Sequence, residues 1–238
     1  MAAMSYLQTL REENERFAAA AAAARARHGW SARVPGCPEW ALADLVWHLA
    51  EVQDFWSWLV RTRATSPAGY PAPVRPADDD LPGFAADRAA ELEDVLAGAE
   101  PDAPVWTWAP QQDVAFVLRR QAQEATVHRV DAEQTLGTVT PISPEVGLDG
   151  LDEWLEVMVP GALPGGPPSG AEPVVFHAVD ADAERTVFAG TADLPVATLT
   201  GSAGDLLLAA WRRVPLSAVT VDGDADRAAA LLATVSLG

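Results

Sequence analysis

The hydrophobic period of this chain changes at Gly137, and that change constrains its architecture more than any other feature. Before Gly137 apolar residues recur at helical spacing. After it, short alternating runs separated by Pro, Gly and Asp take over.

The first half reads as four helices. Tyr6 to about His28 carries Leu7, Leu10 and Phe17 at helical spacing among good helix formers. Val34-Pro-Gly-Cys-Pro38 reads as a turn, with Pro38 opening a second helix, where its missing N–H costs nothing. That helix runs to about Thr62 and buries Leu45, Leu49, Val52, Phe55 and Leu59. A Pro-, Gly- and Asp-rich loop from Ala64 to about Pro82 precedes a third helix, roughly Gly83 to Ala99. Trp106 to Pro110 is a short aromatic connector. A fourth helix covers about Asp113 to Thr135 and stops at Gly137.

Pro141, Ser143 and Pro144 mark a linker, followed by a helix from about Glu145 to Val159. Pro160 to Pro173 is too rich in Pro and Gly for regular structure. Val174–Val179, Thr186–Ala189 and Val196–Thr200 read as strands. Gly204–Arg213 reads as a helix, Ala218–Val221 as a strand and Asp224–Ala233 as a closing helix. The expected fold is therefore an all-α four-helix bundle over residues 1–140, then a small α+β domain over 145–238.

The basic residues are all Arg, and with heavy Ala and Pro usage this fits a GC-rich bacterial genome. The net charge of −18 argues against nucleic-acid partners and against adsorption to an anionic membrane. No leader pattern and no apolar run long enough to span a bilayer is present, so a cytoplasmic location is expected. Cys37 is the only cysteine, which excludes an internal disulfide and a cysteine zinc cluster.

Chemistry concentrates on two helices. Glu124 and His128 stand i, i+4 on the fourth helix, so their side chains point within roughly 40° of each other. Val117, Gln121, Glu124, His128 and Asp131 form a mostly polar row between apolar flanks. His48 interrupts the core stripe of the second helix. Two His and one Glu are a common catalytic zinc set with positions left open, and such a site also accepts other divalent ions. On spacing alone a second reading stands beside it: a satisfied core histidine and an ordinary surface pair. Asp131, one turn after His128, either orients an imidazole from behind or is a helix-surface carboxylate. Asp44 and Glu51 read as solvated, Cys37 as a buried turn thiol, and His28 and His177 as incidental.

Val34-Pro-Gly-Cys-Pro-Glu-Trp40, Asp44-Leu-Val-Trp-His-Leu49 and His128-Arg-Val-Asp-Ala-Glu133 resemble the mycothiol-dependent maleylpyruvate isomerase family. Its N-terminal domain belongs to the DinB-like four-helix bundles. Trp211-Arg-Arg213 and Val221-Asp-Gly-Asp224 resemble its C-terminal sterol-carrier-like module. The resemblance implies an actinobacterial, metal-dependent enzyme of thiol chemistry. His48, Glu124 and His128 would hold a divalent metal, most simply Zn2+, and mycothiol would be the thiol cofactor. Arg213, or Arg212 in its place, would offer a cation to a small, acidic, electrophilic substrate; a plain surface Arg is the other reading. The implied activity is isomerase or S-transferase, in a monomer or small homo-oligomer. A non-catalytic metal-binding regulator and a metal hydrolase on the same scaffold are the alternatives.

Overall fold

In the computed structural model, which describes residues 4–235, Ser5 opens α1 (Tyr6–His28) by accepting the Gln8 N–H. Residues 1–3 and 236–238, the outer ends of the two expected domains, lie outside the described residues. Arg33–Val34 (β1) and Cys37–Ala41 (β2) pair as an antiparallel hairpin. Pro38 therefore lies in a strand rather than at a helix start, and α2 spans Leu42–Thr62. The cause is tertiary. The Leu42 and Ala43 N–H groups, which a helix leaves without internal partners, donate to the carbonyls of Ala32 (2.8 Å) and Trp30 (3.2 Å). Asp44 Oδ2 accepts the Ala41 N–H at 2.9 Å.

Pro82 stands in the first turn of α3 (Leu81–Ala97). Asp113 caps α4 (Val114–Gln134) by accepting the Phe116 N–H at 2.9 Å. Helix α1 packs chiefly along α4 and α2 along α3, while α2 also crosses α4. The last pair runs antiparallel. Cys37 reaches Asp131, His48 reaches Glu124, and the Trp56 ring meets Phe116 at 6.3 Å.

Between α1 and α4 lies Arg129, fully buried. Its Nε donates to Glu13 Oε2 at 2.7 Å; its Nη1 donates to Glu133 Oε2 at 2.9 Å and to the Thr140 carbonyl at 2.7 Å. A dry guanidinium is tolerable only when paired in this way.

The chain divides after Thr140, giving a second unit, Pro141–Gly238. Ser143 caps α5 (Pro144–Glu153), which passes through one π-helical turn, Trp154–Met158, into α6 (Val159–Ala162). The segment read as one regular helix thus contains a π-bulge, opened by the fully buried Trp154. Strands β3 (Val174–Ala178), β4 (Ala183–Val187), β5 (Ala197–Gly201) and β6 (Thr220–Gly223) form a sheet in the order β4–β3–β5–β6. β3 and β5 are parallel, the other pairs antiparallel. Along β3, Val174, Phe176 and Ala178 are buried while Val175 and His177 are half-exposed, the alternation of a sheet covered on one face. β4 sits earlier than its hydrophobic run indicated and ends before Phe188, whose φ of 56° leaves the extended region.

Helices α7 (Ala203–Ala210) and α8 (Ala225–Leu232) complete this unit, with Leu199, Leu206, Trp154 and Phe176 in its core. Helix α5 packs on α7 so closely that a Cβ at Gly147 would stand 2.6 Å from the Gly204 nitrogen. Among the described residues no helix is long and apolar enough to cross a membrane.

Candidate metal centre

The antiparallel crossing of α2 and α4 carries His48 to Glu124 and His128. Leu45 and Leu49 are buried on either side of His48, so α2 cannot turn its imidazole toward water without exposing them. Helix α4 is buried along nearly its whole length in the bundle, which places its polar row inside rather than on a solvated face.

His48 Nε2 lies 3.3 Å from Glu124 Oε1, and His128 Nε2 lies 3.1 Å from the same oxygen. One potential ligand atom from each residue falls within 4.8 Å of the other two, and among the described residues this is the group of His, Cys, Asp and Glu arranged to hold a metal ion. The other carboxylate oxygen, Oε2, accepts Arg120 Nη2 at 2.9 Å. Asp131, fully buried, faces His128 Nδ1 at 2.9 Å. As an imidazolium His128 donates Nδ1–H to Asp131 and Nε2–H to Glu124, and loss of the Nε2 proton leaves a lone pair there for a metal ion. Two imidazole nitrogens converging on one carboxylate oxygen make a site that attracts a cation, and imidazole and carboxylate donors suit a divalent transition ion such as zinc.

The electrostatics agree. Burial alone would raise the Glu124 carboxyl, yet the His128 charge, hydrogen bonds from both imidazoles and the Arg120 charge hold it well below the usual carboxylate range. Burial pulls His128 down, but the Glu124 charge and the hydrogen bonds to Asp131 and Glu124 push it up to about 9. The cluster stabilises positive charge at His128, which a proton or a metal ion can supply.

Trp40, in β2, walls the centre. Its ring lies 4.6 Å from that of His48 and 6.0 Å from that of His128, and the two imidazoles meet edge-on at 5.0 Å. Neither Trp40 nor Arg120 stands out as a site residue in the sequence. Arg120 is one turn before Glu124, a spacing that could have pointed to it; Trp40 depends on the β1–β2 hairpin and has no local signal.

The remaining sequence candidates fall elsewhere. Cys37 donates from Sγ to Asp131 Oδ2 at 3.7 Å and is half-buried, so its thiol backs the histidine's partner rather than joining the triad. Asp44 caps α2 and pairs with Arg75 at 2.7 Å, which holds its carboxyl below the usual range. Glu51 is half-buried on α2, His28 is exposed at the end of α1, and His177 lies in β3. Arg213 belongs to the second unit, is buried, and donates to the Trp211 carbonyl at 3.1 Å. Arg212 caps the end of α8 by donating to the Leu232 and Val235 carbonyls.

Residues 10–133 match the family model described as the mycothiol maleylpyruvate isomerase N-terminal domain. Residues 145–230 match the MDMPI C-terminal domain. The chain belongs to the mycothiol maleylpyruvate isomerase family. Two solved structures share the fold. One is the crystal structure of a mycothiol-dependent maleylpyruvate isomerase, with a TM-score of 0.64, 13% identity and 91% of each chain covered. The other is that of a histidine-to-alanine mutant of such an isomerase, with a TM-score of 0.62, 16% identity and 91% of each chain covered. At these identities the likeness is one of fold. No curated protein sequence matches the chain significantly. Within this isomerase family fold, the DinB-like bundle carries the triad and the α+β unit carries Arg213.

Proposed function

We propose that this chain is a mycothiol-dependent isomerase of a small, acidic, electrophilic substrate of the maleylpyruvate type, with His48, Glu124 and His128 holding a divalent ion, most simply zinc. The observation that carries the reading is the convergence of His48 Nε2, His128 Nε2 and Glu124 Oε1 on one point, in a chain whose family is named for this chemistry. When bound, a divalent ion supplies a Lewis acid that keeps a coordinated thiol deprotonated near neutral pH. When bound, mycothiol supplies the sulfur whose addition to a conjugated double bond, and later elimination, allows rotation from cis to trans.

The chain's own residues do the positioning. Asp131 fixes the His128 tautomer, so that Nε2 and not Nδ1 is the free donor. His48, half-buried, and Trp40 form the rim and wall of the centre, limiting water on that side. By the family resemblance Arg213 would be the cation for a substrate carboxylate, and Arg212 donates to the Leu232 and Val235 carbonyls.

The test is spectroscopic. Cobalt-loaded protein given mycothiol should develop a sulfur-to-cobalt charge-transfer band at pH values below the free thiol pKa of about 8.5. The band should be absent in His48→Ala and present in Cys37→Ala. Loaded protein that shows no band at any thiol concentration overturns the thiol reading and leaves the hydrolase and regulatory alternatives.

A further inference from the structure

The two oxygens of Glu124 are used differently. Both imidazole Nε2 atoms face Oε1, at 3.3 and 3.1 Å, while Oε2 receives the Arg120 guanidinium at 2.9 Å. Arg120 is only 5% exposed and reaches Glu124 from one helical turn earlier. A site selected only for tight cation binding would not keep a buried, permanently charged guanidinium on the outer oxygen of its one carboxylate. That guanidinium draws charge from the carboxylate and repels an incoming cation. Its placement requires another reason.

Resting on the metal reading above, we infer that Arg120 is a positioning residue that restricts Glu124 to a single-oxygen ligand. A carboxylate with both oxygens free can close on an ion through both and fill a further coordination position. With Oε2 held by Arg120, Glu124 offers Oε1 alone and the triad supplies three donor atoms. The remaining positions stay open to exogenous ligands, as a catalytic zinc site requires. The same contact keeps Glu124 a weaker donor, which leaves the ion a stronger Lewis acid toward whatever it binds. Arg120 thus exchanges affinity for the ion against room and acidity for a thiol.

The experiment compares full-length wild type with Arg120→Gln, whose neutral side chain is too short to replace the contact, and with Arg120→Lys, which keeps the charge. Cobalt affinity is measured by chelator competition, and coordination by the intensity of the visible d–d bands before and after mycothiol. Arg120→Gln is expected to bind cobalt about tenfold more tightly, because it removes a permanent cation beside the site; the size is that of effects from groups behind a ligand, whose usual sign is a loss. Its d–d bands should weaken, as they do when coordination number rises. Its sulfur-to-cobalt band should be lost at a mycothiol concentration that saturates wild type, and Arg120→Lys should restore the wild-type pattern. A merely structural arginine predicts the reverse: weaker or unchanged cobalt binding with unaltered d–d intensity, which would overturn the inference. If Arg120→Gln does not fold by circular dichroism, Arg120→Met is read against the same outcomes, and failure of both to fold would make Arg120 structural and overturn it too. Wild type that binds no cobalt sinks the metal reading itself, whereas a normal wild type with an unchanged variant sinks only the role of Arg120.

Discussion

Asp131 offers the sharpest test of how the centre is built, because two effects of its removal oppose each other. Its carboxylate lies 2.9 Å from His128 Nδ1, with Asp131 fully buried and His128 only 4% exposed. Asp131→Ala removes the group that orients the ring, and losses of this kind cost about 10- to 100-fold in metal affinity, or about 1.4–2.8 kcal/mol. Asp131 also helps push His128 up to about 9, so near neutral pH a metal must displace a proton from that ring. Apparent affinity in wild type should therefore rise roughly tenfold per pH unit until about pH 9. In Asp131→Ala the His128 pKa falls, the proton competes less, and the rise levels off earlier. The deficit of the variant should be small near pH 7 and approach its full value above pH 9. Zinc affinities from chelator competition across this range, with circular dichroism as the check on folding, give the answer. Asp131→Asn, which can still accept a hydrogen bond, should fall between the two proteins. A folded Asp131→Ala protein with wild-type affinity at every pH would refute the argument, and a deficit independent of pH would refute its electrostatic half.

His48→Ala, Glu124→Ala and His128→Ala should each sharply lower the metal content of purified protein from about one ion per chain, because two protein donors compete poorly with water. His28→Ala, far from the triad in sequence and exposed, should not change it, and elemental analysis of the four variants decides. Gly83→Ala should stabilise by about 0.5–1 kcal/mol, since it adds helix propensity and its Cβ meets nothing within 4 Å. Gly147→Ala should instead destabilise by about 1–3 kcal/mol, because its Cβ would strike backbone at 2.6 Å; equal signs in denaturant titrations would contradict the crossing. Arg129→Met should destabilise by up to about 3–5 kcal/mol, because it removes the buried cation between Glu13 and Glu133 and leaves them only Arg16 and Thr140 as partners, and an unchanged denaturation midpoint would refute that.

What the sequence showed of the centre was whatever lay along one helix. The i, i+4 spacing of Glu124 and His128 and the break that His48 makes in an apolar stripe are local patterns, and the fold only had to bring two such faces together. The residues that tune the site were harder to see. In the sequence Arg120 is one Arg among several, and only the fold sets its guanidinium on Oε2; Trp40 is placed by the β1–β2 hairpin rather than by any period. The same limit explains the displaced start of α2, where Pro38 satisfied a local rule but tertiary partners set the boundary at Leu42. The π turn at Trp154 likewise leaves no signal, because only the 4 residues of α6 follow it, too few for the shifted apolar phase to show.

The pairing of Glu13 with Arg129 has a consequence for how the chain is made. These partners are 116 residues apart, so on a ribosome adding about 5–20 residues per second α1 waits roughly 6–23 s for its main packing partner, α4. Helices α2 and α3, adjacent in sequence and extensively packed, can pair during that interval. The composition of α1 suits the delay. Its 23 residues include the seven alanines Ala18–Ala24 and one β-branched residue, Thr9, so a nascent α1 can hold helical structure alone while offering little that would recruit another chain into a β-aggregate. Its alanine tract is then a way to remain single and ready until the fourth helix leaves the exit tunnel.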